Sequence, residues 1–327
     1  MTFLLKHLNV PVIGYSLPAE KDSLFERAER RGAITEVFAD IRDYESLEEF
    51  IDHHKPSTII HMAAQPLVLK SYESPRETFD VNVMGTVNVL DIAFKRDFVK
   101  AIIVVTTDKV YRNDNSGRAF VETDPLEGKD PYSASKVGTE AVVAAWQQIS
   151  KVSGGPKVVS VRAGNVIGGG DFAENRIIPD LIRGVISGEP VEIRNPNSTR
   201  PWQHVLDPLF GYLVIVEQCL QGLEYSHFNI GPMSESLNVA ELTQIGSTIF
   251  KDLVLNTKQK NLGMNIEATT LDLDASLVCE SFGWQPKWTQ EEAIFKTFTW
   301  WYSYLNDSKN VMQLCDAEVL EFLRTRT

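Results

Sequence analysis

Cysteine is nearly absent: Cys219, Cys279 and Cys315 are the three in 327 residues. They lie far apart with no metal-ligand spacing, which excludes a disulfide scaffold or a zinc module. They fit small buried hydrophobes in a reducing compartment, so a cytoplasmic protein is expected. Positive charge is short as well, with 32 Lys and Arg against 44 Asp and Glu and a net charge of −12. That balance argues against a sequence-independent nucleic-acid surface but leaves room for a local basic pocket that takes a phosphate. No apolar run reaches the ~18 residues of a membrane span, so no membrane partner is expected. Residues 1–12 carry Lys6, His7 and Asn9 with no small-residue cleavage site after them, and no signal peptide is expected. What remains is an ordinary globular composition, long enough for a main domain and a smaller one.

The most informative stretch is residues 101–136. It opens on Ala101-Ile102-Ile103-Val104-Val105, too short and too β-branched for a typical helix. That run predicts a strand buried on both faces. Thr106-Thr107-Asp108-Lys109 follows at the strand's C-terminal end, the edge where open α/β sheets hold ligands. Asp130-Pro131-Tyr132-Ser133-Ala134-Ser135-Lys136 then predicts a helix over 131–148, started by Asp130 or Pro131. Tyr132 and Lys136 fall one turn apart on one face. A phenol is a poor base at neutral pH because its pKa is near 10; an ammonium one turn away favours the phenolate. With a hydroxyl such as Thr107 to hold a substrate alcohol, the set can take a proton off a carbinol while hydride leaves its carbon. Tyr-x-x-x-Lys alone is a common spacing. Its place after a strand ending in Thr-Thr-Asp gives it weight.

Elsewhere the chain alternates. Residues 1–9 read as the end of an amphipathic helix, 10–17 and 33–38 as strands, and 20–31 as a charged helix or loop. Asp40 either bonds a nucleotide base edge or caps a helix over 44–54, and its position favours the cap. Residues 56–62 read as a strand running into Ala63-Ala64-Gln65, small residues that let a ligand approach the backbone. A helix over 80–95 contains Gly85, which costs about 1 kcal/mol relative to alanine and implies close packing. Residues 157–162 form the next strand. This alternation is the pattern of a doubly wound parallel sheet, here assigned to residues 1–163. From residue 164 the texture changes. Gly164-Asn165-Val166-Ile167-Gly168-Gly169-Gly170-Asp171 is a glycine-rich turn without the form of a phosphate loop. Arg200, Trp202 and His204, close in sequence, suit a nucleotide diphosphate with a stacked base. A strand at 228–231 and helices at 238–249 and 291–305 complete a lobe over 164–327, with some segments returning to the main domain.

Six stretches carry a family resemblance: His61-Met-Ala-Ala-Gln-Pro-Leu-Val68, Asn82-Val-Met-Gly-Thr86, Thr106-Thr-Asp-Lys109, Asp130-Pro-Tyr-Ser-Ala-Ser-Lys136, Arg162-Ala-Gly-Asn-Val-Ile-Gly-Gly-Gly-Asp171 and Arg200-Pro-Trp-Gln-His-Val205. Together they resemble the extended short-chain dehydrogenase/reductases, and within them the nucleotide-sugar 4,6-dehydratases. Lys109, where TDP-glucose relatives generally carry Glu, points to the CDP-glucose branch. The resemblance implies an α/β, Rossmann-like fold with a smaller substrate lobe. It also implies bound NAD, CDP-glucose as substrate, and a homodimer through a four-helix interface. Tyr132 would take the proton of the sugar's C4 hydroxyl, held by Thr107, while hydride passes to NAD. Lys136 would bond the nicotinamide ribose. Asp108 is the expected acid at the C6 hydroxyl, and Lys109 stands where relatives place the C5 base. The cofactor contacts implied are Asp40, Ile41, Ala63, Ala64, Gln65, Asn82, Thr106, Tyr132 and Lys136. The substrate contacts implied are Asn165, Arg176 and Arg200. Trp202 and His204 join them on the nucleotide reading above. Another nucleotide-sugar dehydratase, an epimerase, and a non-catalytic homologue stay open.

Members of that family begin with a strand, a G-x-x-G-x-x-G turn and a helix, and the turn brings backbone N–H groups to the pyrophosphate. Here no glycine precedes Gly14. Residues 1–9 match the end of that first helix, so the first strand and phosphate turn are expected to be missing from this sequence. The strands beside the gap are then expected to carry unpaired backbone groups.

Overall fold

A computed structural model describes residues 1–28, 34–114, 116–193, 195–223, 225–256, 270–307 and 310–325. The principal strands are β1 (Ile13–Ser16), β2 (Thr35–Phe38), β3 (Thr58–His61), β4 (Ala101–Val105), β5 (Lys157–Ala163) and β6 (His227–Ile230). Ala33, the expected start of β2, lies outside the described residues. The helices that matter for the site are α1 (Thr2–His7), α2 (Tyr44–His54), α3 (Gly85–Phe94), α4 (Pro131–Ser153), α5 (Ile177–Ser187), α6 (Leu206–Leu220), α7 (Gln290–Asn306) and α8 (Val311–Arg324). Among the described residues, no helix is long and apolar enough to cross a membrane.

β4 is the central strand, and its period-2 pattern sorts its residues between two helical layers. Ile102 and Val104 pack with Leu90, Ala93 and Val143 of α3 and α4. Ala101 and Ile103 pack on the other side with Leu209, Tyr212 and Ile215 of α6. Burying each Ile or Val contributes about 1.5–3 kcal/mol, so the apolar run fixes both strand and register. The sheet runs β6-β5-β4-β3, every pair parallel. β6 and α6, though late in sequence, therefore belong to this layer. A second apolar cluster closes on Leu181, Ile182, Trp202, Ile294, Phe298 and Trp301.

β1 and β2 form a separate parallel pair and do not join the main sheet. Among the described residues, β1 is paired only to β2 and β3 only to β4. Tyr15 of β1 and Ile59 of β3 nonetheless rest on one cluster, Leu47, Ile51, Val89 and Ile92 of α2 and α3. The sheet is thus split between β1 and β3.

Two local expectations are corrected. Asp43, not Asp40, caps α2, its side chain accepting from Ser46 N at 3.1 Å. Asp40 is instead held by Arg42 through both carboxylate oxygens. The helix expected over 80–95 is not uniform: a π-helical turn, Asp80–Met84, precedes α3. A Cβ on Gly85 would lie 2.3 Å from Ile41 Cδ1, so the glycine admits the loop after β2.

Candidate active site

Because β3, β4 and β5 are parallel, the segments after them share one edge. Ala63 and Ala64 follow β3, Thr106 to Lys109 follow β4, and Gly164 and Asn165 follow β5. α4 starts beside that edge. Asp130 and Ser133 form a reciprocal cap with Pro131 at the first helical position, and Tyr132 N donates to Ser71 Oγ at 3.1 Å.

The Thr107 hydroxyl lies close enough to the Tyr132 phenol to lower its pKa. Thr107 Oγ1 in turn meets Asp108 Oδ1 at 3.0 Å. Asp108 is 2% exposed. Its Oδ2 has no hydrogen-bond partner among the described residues. Burial raises its pKa against the opposing pull of Lys109, Thr107 and Arg200, which favours a carboxylic acid able to donate. Lys109 is half-buried, its backbone N donating to Thr107 Oγ1 at 3.3 Å.

Lys136 is 6% exposed, and its Nζ donates to Val105 O at 3.0 Å. Burial pushes its pKa down to about 8, with Glu140 acting the other way. The Tyr132 phenol is pushed up to about 12 by burial, with the Thr107 hydroxyl lowering it. The expectation that Lys136 favours the phenolate is corrected for this arrangement. Its ammonium faces the Val105 carbonyl, and desolvation decides the phenol.

The remaining site residues divide. The Gln65 backbone N donates to Asn82 Oδ1 at 2.8 Å, and Asn82 Nδ2 donates to Gln65 O at 3.1 Å and to Ser135 Oγ at 2.8 Å. Asn82 therefore clamps the loop after β3 onto α4, with both amide N–H donors spent there rather than on a cofactor. Thr106 Oγ1 donates inward to Glu140 Oε1 at 2.6 Å, so this expected contact is also corrected. The Asp40 carboxylate takes Arg42 Nη2 at 2.6 Å, which holds it below the usual range. Ile41 is buried, its carbonyl accepting from Asn88 Nδ2 at 3.0 Å. Arg176 pairs with Asp171 at 3.1 Å and its charge reaches Tyr132, while the charge of buried Arg200 reaches Asp108. Asn165 is half-buried, its carbonyl accepting from Gln203 N at 3.2 Å.

Trp202 and His204 are corrected to core residues. Trp202 Nε1 donates to Leu237 O at 3.0 Å inside the second apolar cluster. His204 is 0% exposed, with Nε2 at 3.2 Å from Glu318 and its ring edge-on to Trp288. Both rings find apolar cover and a polar partner indoors, so neither stacks a base.

Three residues escaped the sequence reading. Gln203 Nε2 donates to Gly164 O and Ile230 O, both at 2.9 Å, and so ties down the loop behind Asp108. Glu140 and Arg162 form a buried ion pair. The available signal was spacing: Tyr132, Lys136 and Glu140 recur every fourth residue on one helical face.

Residues 4–231 match the NAD dependent epimerase/dehydratase family. The chain belongs to that family. Over 339 aligned residues, covering 100% of this chain and 93% of the relative, it is 36% identical to CDP-glucose 4,6-dehydratase of Salmonella typhimurium. It is 27% identical to dTDP-glucose 4,6-dehydratase of Xanthomonas campestris, over 86% of this chain and 82% of that one. In fold it is similar to UDP-glucose 4-epimerase of Thermotoga maritima, with TM-score 0.77, 23% identity, and coverage of 92% and 94%. It is similar also to dTDP-glucose 4,6-dehydratase of Bacillus anthracis in complex with NAD, with TM-score 0.75, 22% identity, and coverage of 94% and 92%. The Rossmann-like α/β expectation agrees with these epimerase/dehydratase folds.

The residues present fit the reactive end of the family's cofactor. A polar cluster with an unpartnered buried oxygen, Asp108 Oδ2, stands at the edge shared by Ala63, Ala64 and Gly164. Glycine at 164 keeps that space open, since a Cβ there would lie 2.4 Å from Asp108 Oδ2 and 2.9 Å from Pro201 Cγ. Gly164→Ala is therefore expected to displace the carboxyl and cut turnover about tenfold or more, with only a small change in thermal melting. Wild-type turnover would show that the carboxyl's position does not matter.

Proposed function

We propose that this chain is an NAD-dependent CDP-glucose 4,6-dehydratase acting in the cytoplasm. The single observation that carries the proposal is the convergence of Tyr132, Thr107 and a buried Asp108, its pKa raised by that burial, at one strand end, in a chain 36% identical to a CDP-glucose 4,6-dehydratase along its length. Thr107 orients the sugar's C4 hydroxyl and Tyr132 takes its proton. NAD, when bound, supplies the hydride acceptor and later the donor. The resulting C4 ketone acidifies C5–H, and Lys109 takes that proton. Asp108 gives its proton to the C6 hydroxyl, which leaves as water; C6 then receives the hydride back, and C5 recovers the proton held by Lys109. Arg176 and Arg200 grip the diphosphate, with Asn165 beside them. Lys136, Ala63, Ala64 and Gln65 line the cofactor's reactive end, and Asp40 and Ile41 stand at the adenine. The product is CDP-4-keto-6-deoxyglucose.

A homodimer and a two-lobe division at residue 163 belong to the same proposal. Exposed Phe79, Met84, Ile149 and Val152, on the helical stretch before α3 and on α4, support the dimer.

The test is mass analysis of the purified chain for NAD, then incubation with CDP-glucose. A 4-keto-6-deoxy product is expected. A C4 epimer would make the chain an epimerase, and no product despite bound NAD and bound CDP-glucose would overturn the reading.

A further inference from the structure

Behind the catalytic edge lies a buried ion pair that the steps above leave without a role. Arg162 donates to Glu140 through two bonds, Nε to Oε1 and Nη2 to Oε2, each 2.9 Å. The carboxylate also accepts from Thr106 Oγ1 at 2.6 Å and Ser160 Oγ at 2.8 Å. Arg162 donates further to Tyr111 Oη at 2.9 Å and Glu122 O at 3.0 Å. Burial works against the Glu140 charge, but Arg162 and the two hydroxyls hold the carboxyl below its usual range. A buried pair of this kind is weak support for stability, since apolar replacements are often neutral.

Its two attachments point elsewhere. Thr106, which it holds, is joined directly to Thr107 and Asp108. Lys136 lies one turn before Glu140 on α4, about 5–6 Å away at the Cβ atoms. Glu140 of α4 acts on the Lys136 charge, and that charge acts on His61 of β3; Tyr132 stands one turn before Lys136 on α4, and Arg162 of β5 lies behind Glu140. Burial and the Lys136 charge push His61 down to about 3, so it is neutral. Tyr132 is a phenol at neutral pH. β4 offers Lys136 only the Val105 carbonyl.

We propose that Glu140 is a positioning residue: its carboxylate fixes the Thr106–Asp108 turn through the Thr106 hydroxyl and keeps Lys136 charged across one helical turn. The proposal rests on the roles given above to Thr107, Asp108 and Lys136, but its first test needs neither cofactor nor substrate. In the full chain labelled with [13C]lysine, the Lys136 resonance is assigned by its loss in Lys136→Arg and titrated. Loss of a nearby opposite charge moves such a group by about 1–3 pH units. Glu140→Gln is expected to lower the Lys136 midpoint by at least one pH unit, and an unchanged midpoint overturns the electrostatic role. Thr106→Val keeps the charge and cuts the tether. It is expected to leave the midpoint in place while lowering kcat on CDP-glucose about tenfold with KM nearly unchanged. A wild-type kcat in Thr106→Val overturns the tether, even if Glu140→Gln fails to fold. If the wild-type chain does not turn over CDP-glucose, that reading fails, and the midpoint still decides the electrostatic role of Glu140.

Discussion

Tyr132→Phe is expected to lower kcat by about 10²- to 10⁴-fold, the usual contribution of a positioned general base. The ring stays in place, and Tyr132 N still donates to Ser71 Oγ, so the start of α4 is unaffected. What disappears is the phenolic oxygen beside Thr107. Thr107 can still hold the C4 hydroxyl, so KM should change little. The pH profile separates chemistry from structure. Tyr132 is pushed up to about 12, so the phenolate fraction grows tenfold per pH unit through the neutral range. Lys136 is pushed down to about 8, so its charged fraction falls tenfold per unit above that value. If the first step needs both forms, the wild-type rate rises with pH below about 8 and levels off above it. Tyr132→Phe should lose the rise along with the rate. A variant within threefold of wild type at all pH values would show that another group takes the proton.

Sequence legibility followed how local the deciding physics is. The run from Ala101 to Val105 announces a two-sided strand because β-branching and hydrophobicity act residue by residue, and the structure buries it between two helical layers. The Asp130-Pro131 start and the Tyr132–Lys136 turn were readable for the same reason. Asp40 against Asp43 was not, because both lie near the helix start and Arg42 decides the matter by occupying Asp40. Neighbours in sequence also part company in space. The Arg200 charge reaches Asp108, while Trp202 and His204, two and four residues on, turn into the core. Sequence proximity could not tell one direction from the other. Glu140 hid for a different reason. A glutamate on a long helix reads as solvated until the register of β5 brings Arg162 and Ser160 to it.

Joining an apolar strand and a G-x-x-G-x-x-G turn ahead of α1 is expected to tighten NAD binding at least 10²-fold and to raise the melting temperature by several degrees. β1 and β3 each pair on one side only among the described residues, yet Tyr15 and Ile59 share the same helical floor. A parallel strand laid between them would bond to both edges. Each such bond contributes about 1 kcal/mol net, offset by an ordering cost of about 1–2 kcal/mol per residue. Apolar burial against Tyr15 and Ile59 then tips the balance by a few kcal/mol. The turn acts on a separate quantity. Backbone N–H groups aimed at a pyrophosphate form charge-assisted bonds of about 1.5–3 kcal/mol each. Two of them correspond to roughly 10²- to 10⁴-fold in Kd. Calorimetric titration with NAD and thermal melts of both chains measure the two effects. A third chain, with the strand kept and the turn glycines changed to valine, should keep the gain in melting and lose the gain in affinity. Equal Kd values and equal melts for the 327-residue chain and its extended form would mean that the pyrophosphate is gripped elsewhere. The arginines beside Asp108 and Tyr132 would then be the first groups to substitute.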